Sequence, residues 1–237
     1  MMSFFITTKK NMGRVSLRCV SVLLLFAGCG SAQEYVSDYF FPLQDGNTWI
    51  YKTTYNKVDL IGDENFSTSI VETLTVSAGA KGTRFTGSLD ALEFLLMYGT
   101  IQITDTGIYI TDKGNPLFVW KKAEIKQGNT WSWSGEISEK GRMETWKCTC
   151  VVEGIAKEDF PHMGKQDALQ VKISYEYGVS SEKEGWGRGM SVSATVWLVK
   201  AIGVIRIKEE TEVGSEGEEY SETWESDLLE FKRAGDK

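Results

Sequence analysis

From Trp49 to the C-terminus the chain consists largely of short segments in which apolar and polar residues alternate, each bounded by a turn-forming cluster. A period of two sends every second side chain to the same side, so such a segment can bury its apolar residues together only as a strand. In 142–153 the residues Trp146, Cys148, Cys150 and Val152 share a face; in 168–177 Leu169, Val171, Ile173 and Tyr175 do. Near the beginning, Trp49, Tyr51, Thr53 and Tyr55 follow the turn Asp45-Gly46-Asn47, where Gly and Asn accept a positive φ at low cost. Thr100–Thr104 and Ile108–Thr111 flank Asp105-Thr106-Gly107 and read as a hairpin. Further strands are expected at 67–77, 82–88, 130–137, 190–199, 203–213 and 220–232, with Pro116–Lys121 leading onward from a turn at 112–115. Segment 89–98 (LDALEFLLMY) fits either a short helix or a buried strand. One-faced alternation of this kind suits an antiparallel sheet with a single buried side. The expected fold class is mainly β: an antiparallel curved sheet or half-barrel with at most one or two short helices.

The first 28 residues follow different rules. They carry Lys9, Lys10, Arg14 and Arg18 and no acidic residue, then the apolar run Cys19–Phe26, then small residues. That order is the order of a secretory signal, and the apolar run is far short of the ~20 residues needed to span a bilayer. Either Met1 or Met12 is compatible with it as the start. Phe26-Ala27-Gly28-Cys29 resembles the bacterial lipobox, with Phe26 where leucine is usual. The resemblance implies cleavage before Cys29 and lipid on its sulfur; an ordinary signal cut after Ala32 is the alternative. Two or more acyl chains hold a protein firmly to a membrane, whereas one holds it weakly. The organisation expected is a signal over 1–28, a lipidated tether over 29–38 and a single β domain over 39–237. Gly30 and Ser31 supply no acidic retention signal after Cys29, which favours an outer membrane where one exists.

Loss of residues 1–28 removes four of the 26 basic residues and none of the 33 acidic ones, leaving a net charge of −11. A domain so acidic lacks the positive field that nucleic acid or anionic lipid attracts. No nucleic-acid partner is expected, and membrane contact is expected through the lipid on Cys29.

Gly46-Asn47-Thr48-Trp49 recurs as Gly128-Asn129-Thr130-Trp131, 82 residues later. The spacing is too long for a solenoid repeat, and reuse of one turn-into-strand solution explains it more simply than duplication of the whole domain. The segment Phe41–Tyr51 (FPLQDGNTWIY) resembles a motif shared by uncharacterised bacterial secreted proteins and lipoproteins. Several of those have a second Gly-Asn/Asp-Thr-Trp turn, matched here by Gly128–Trp131, and a late Trp followed by a Gly-Val-Gly-like turn. Here the late Trp is Trp197, and the turn reads Gly203-Val204-Ile205, with Ile in the third place. More loosely, such chains are similar to the open half-barrels of bacterial lipoprotein carriers. The resemblance implies a fold and an address but no biochemical role.

Candidate chemistries are few. Asp105-Thr106-Gly107 matches the aspartic-protease tripeptide, but such a site needs two carboxylates sharing a proton, no second tripeptide exists, and turn chemistry accounts for the residues. Cys148 and Cys150, two apart on a strand, read first as buried thiols, then as a strained disulfide, and last as half a metal site with His162, the one histidine. Gly185–Gly189 (GWGRG) lacks the lysine and helix of a phosphate loop and reads as a long hairpin connection. The acidic stretch Glu209–Glu230 has no calcium-loop pattern and reads as a solvated strand face. Trp131 and Trp133 share one face and are the candidate ligand-binding residues; core packing is the commoner use of such side chains. No catalytic residue, metal or cofactor is expected. The expected function is an envelope lipoprotein, not an enzyme, holding a hydrophobic ligand or an envelope protein. A carbohydrate-binding module for glycans and, last, a carboxylate-based hydrolase are the alternatives.

Overall fold

In the computed structural model the described residues are 34–59, 65–80, 82–91, 99–112, 115–139, 142–181, 186–215 and 218–236. The signal segment, Cys29 and most of 89–98 lie outside them. Alternation becomes twelve strands: β1 (Thr48–Asp59), β2 (Asn65–Gly79), β3 (Gly82–Gly87), β4 (Thr100–Thr104), β5 (Gly107–Asp112), β6 (Asn115–Lys121), β7 (Thr130–Glu139), β8 (Arg142–Phe160), β9 (Gly164–Ser181), β10 (Trp186–Val199), β11 (Gly203–Ser215) and β12 (Glu218–Lys232). Every face assigned from the sequence is the buried face. Trp49, Tyr51, Thr53, Trp146, Cys148, Cys150, Val152, Leu169, Val171 and Ile173 are all at most 5% exposed.

Two assignments change. Trp186–Gly189, read as part of a connection, belongs to β10 and pairs with Gly178–Ser181 of β9. The glycines interrupt the alternation in that stretch and so hid a strand. Part of the span read as tether also packs on the barrel: Val36–Tyr39 forms a single 3₁₀ turn, and Val36 is fully buried.

All twelve strands lie in one antiparallel sheet, in the order β6-β5-β4-β3-β2-β1-β12-β11-β10-β9-β8-β7. The first and last strands pair over their whole length, from Thr48↔Lys232 to Asp59↔Tyr220. The sheet curls until its two edges, β6 and β7, approach one another, so the barrel is nearly closed. Register shifts at Ile50/Tyr51, Ile110/Thr111, Val152/Gly154 and Trp197/Leu198 supply bulges of the kind that bend strands around a barrel. Pro116 lies on edge strand β6, where a missing N–H costs no ladder bond.

Twelve strands enclose more space than their own side chains fill, since about eight already give a just-filled interior. Residues 36–41 occupy the surplus at one end. Val36 N–H donates to the Ala123 carbonyl at 2.8 Å, and the Trp120 indole N–H donates to the Val36 carbonyl at 3.0 Å. Phe41 meets Trp49 edge-on at 5.0 Å and Phe85 at 5.1 Å, while Phe40 packs on Trp120 at 5.8 Å. Gly203 has φ +93°, and a Cβ there would lie 2.9 Å from Phe41 Cα, so this turn admits the plug only as glycine. Beyond the plug the inner face turns polar. Thr53 and Ser226 hydroxyls bond at 2.8 Å, Tyr55 donates to Glu222 at 2.6 Å, and Glu209 and Thr211 are buried.

The recurring turn marks the first strand of each half of the sheet, β1–β6 and β7–β12. In both copies the glycine has positive φ, 86° at Gly46 and 82° at Gly128. Gly46 N–H donates to Val76 O and Val76 N–H to Asn47 O, each at 2.9 Å; Gly128 and Val152 make the same pair of bonds, with Asn129, each at 2.8 Å. The asparagine amides donate to Pro42 O at 2.8 Å and Glu124 O at 2.9 Å.

Candidate functional site

The junction between β6 and β7 is where the sheet is left unzipped, and side chains close it. β7 hangs from β8 with Trp131 opposite Cys150 and Trp133 opposite Cys148. Both indoles reach across the gap to carbonyls on the free edge of β6. Trp131 Nε1 donates to Val119 O at 2.7 Å, and Trp133 Nε1 donates to Leu117 O at 3.1 Å. The rings then pack edge-on against their neighbours, Trp131 on Trp120 at 5.7 Å and Trp133 on Phe118 at 5.4 Å. An aromatic side chain with a single N–H suits this place, because the ring fills the gap while the donor satisfies an edge carbonyl.

The two tryptophans are 5% and 9% exposed, so they form no flat, solvent-facing platform. They do line a groove of about 620 Å³ along the outside of the seam. Its other walls are Tyr109 and Thr111 of β5, Val119 and Lys121 of β6, and Ser132 of β7. That volume falls within the ~300–1,000 Å³ range of small-molecule sites. Among the described residues the lining combines three aromatic rings and Val119 with the hydroxyls of Thr111 and Ser132 and one charged group, Lys121.

Other residues singled out from the sequence are dispersed. Cys148 and Cys150 are free, fully buried thiols behind the seam. Burial pushes the Cys150 thiol well up, and its hydrogen bond with Cys148 adds to the rise. His162 is exposed in the β8–β9 turn, and Asp105-Thr106-Gly107 is the β4–β5 turn. Among the described residues no three of His, Cys, Asp and Glu converge as metal ligands, and no helix is long and apolar enough to cross a membrane.

Two features escaped the sequence. Glu72 is 3% exposed on the inner face of β2, in step with Leu74 and Val76. Its Oε1 accepts bonds from Ser88 Oγ and Asp90 N–H, each at 2.7 Å, while Oε2 is buried without a partner. A carboxylate in the apolar register of a strand was the available signal. The second is a clasp at the plug: Lys200 Nζ donates to Glu34 at 2.7 Å and Tyr39 OH donates to the same carboxylate at 2.9 Å. Those bonds lower the Glu34 carboxyl, the one from Lys200 most. Burial and then the Glu34 bond push Tyr39 up to about 12.

No protein-family model and no curated protein matches the chain. Two solved structures overlay it in part. A candidate exported protein with a YmcC-like fold from Bacteroides fragilis is 12% identical, with a TM-score of 0.32 over 82% of this chain and 99% of its own. A candidate lipoprotein from Parabacteroides distasonis is 11% identical, with a TM-score of 0.31 over 84% of this chain and 100% of its own.

Proposed function

We propose that the chain is an exported lipoprotein, anchored through Cys29, whose barrel binds an apolar or aromatic ligand in the seam groove. The groove of about 620 Å³ floored by Trp131 and Trp133 carries the binding half of this reading. The basic–apolar–small order ending at Cys29 carries the anchoring half. The plugged, aromatic interior at one end argues against a deep ligand chamber there, and so the outer groove is the better receptacle. Among the described residues the groove wall carries a single charge, that of Lys121, and the role proposed is binding rather than catalysis.

Each half has its own test. Cys29→Ser is expected to release the protein from the membrane fraction and abolish lipid labelling; an unchanged membrane fraction overturns the anchor. Native mass spectrometry of the released Cys29→Ser protein is expected to show a copurified apolar molecule. Val119→Glu, which places a carboxylate in the groove wall, is expected to remove it. A ligand-free wild-type groove that also fails to take up added single-chain amphiphiles overturns the binding reading.

A further inference from the structure

The antiparallel meander sorts its connections to two ends. Every even-to-odd connection (79–82, 104–107, 121–130, 160–164 and 199–203) lies at the end that holds the plug, as do the start of β1 and the finish of β12. The N-terminal segment leaves from this same end. Tyr35 bridges Glu124, Val36 is bonded to Ala123, and Glu34 is clasped by Lys200 and Tyr39. Glu34 is thus held at the plugged end, and Cys29 stands five residues before it in the sequence, a span of at most about 18 Å when fully extended.

We infer that the plugged end of the barrel lies against the lipid bilayer, with the opposite end held away from it. This rests on the proposed lipid at Cys29. Apart from 122–129 the connections at the plugged end are tight turns, and its exposed charges are mixed: Lys122, Lys126 and Lys200 stand among Asp45, Asp105 and Asp236. The far end also holds basic residues, Lys57 and Arg142 among them, but one of its hairpins stands apart. Between 209 and 222, around the β11–β12 connection, the chain has seven glutamates and no basic residue. An anionic lipid surface repels such a hairpin and tolerates the mixed end, so charge and tether favour the same pose. β1, 12 residues long, spans about 40 Å along its length, which puts the acidic hairpin well beyond the reach of the tether. The seam groove then runs along the barrel wall with Lys121 at its membrane end and Thr111 at its outer end.

Fluorophores on Lys126→Cys and on Ser138→Cys of the full lipidated chain test the pose. The vesicles are phosphatidylcholine with phosphatidylglycerol and carry a nitroxide headgroup quencher. Roughly twofold or greater quenching is expected at position 126 and little at 138, because the tether's contour length holds one end near the lipid. A flexible ten-residue insertion after Ser31 is expected to shrink that difference. Equal quenching at both positions, or stronger quenching at 138, on a chain shown by mass to carry its lipid overturns the orientation alone. A chain with no lipid at Cys29 overturns the anchor reading and this one with it.

Discussion

At the scale of single residues, the two seam tryptophans do what a row of ladder bonds does elsewhere in the sheet. Trp131→Phe and Trp133→Phe keep most of the ring contact and lose one hydrogen bond each. Each is expected to cost about 1 kcal/mol of stability in urea unfolding. The alanine variants are expected to cost about 3–5 kcal/mol, because they also empty the gap. A phenylalanine variant as damaging as alanine would show that the N–H bond, rather than the ring, closes the seam. The thiols behind them should be inert for a physical reason: burial disfavours thiolate at Cys150, and the thiolate is the reactive form. Neither Cys148 nor Cys150 is expected to react with a thiol reagent in the folded Cys29→Ser protein at mildly alkaline pH, and both should react in denaturant. Labelling of either thiol in the folded state would contradict their burial. The alternation put Trp131 with Trp133, and Cys148 with Cys150, on one face of a strand, and all four are buried. It did not show that the tryptophans bridge a gap, because bridging depends on which strands end up as edges, and no local pattern encodes that.

At the scale of elements, the repeated Gly-Asn-Thr-Trp turn is one hydrogen-bond device used twice. Its two asparagines differ in one respect: Asn47 is 2% exposed and its Oδ1 also accepts from Ala234 N–H at 2.8 Å, tying β1 to the C-terminal turn. Asn47→Ala is therefore expected to destabilise by about 1–3 kcal/mol through buried groups left unpaired. Asn129→Ala, nearer solvent, is expected to cost about 0.5–1.5 kcal/mol. Equal losses in thermal or urea unfolding would mean that the Ala234 bond contributes nothing. Strand positions were legible because Gly and Asn turns punctuate them. The exceptions are instructive. β6 starts with Asn115-Pro116, too short and irregular to show a period, and β10 opens Trp-Gly-Arg-Gly, where Gly187 and Gly189 have no side chain to alternate. The plug was hidden for another reason: Val36 and Tyr39 sit in a polar segment, and only the width of a twelve-strand barrel gives them something to fill.

At the scale of the whole molecule, the sheet has two junctions of the same kind, β12 to β1 and β6 to β7, and only the first is zipped by backbone. The closed junction joins the first and last strands of the sheet's sequence order. β1 has its outer partner in β12, 173 positions separating the bonded hydroxyls of Thr53 and Ser226. Contacts of such long sequence separation form late and slowly. A chain ending before Glu218 leaves β1 with an open edge and the polar inner face without Ser226, Glu222 and Trp224. Such a truncation is expected to yield no cooperative unfolding transition, as judged by circular dichroism and proteolysis. A protease-resistant core in that fragment would show that the first half stands by itself. The arrangement works as a timer: β1 stays without its outer partner until β12 is present, so the barrel cannot lock before its final strand arrives, and a chain at any earlier stage remains open.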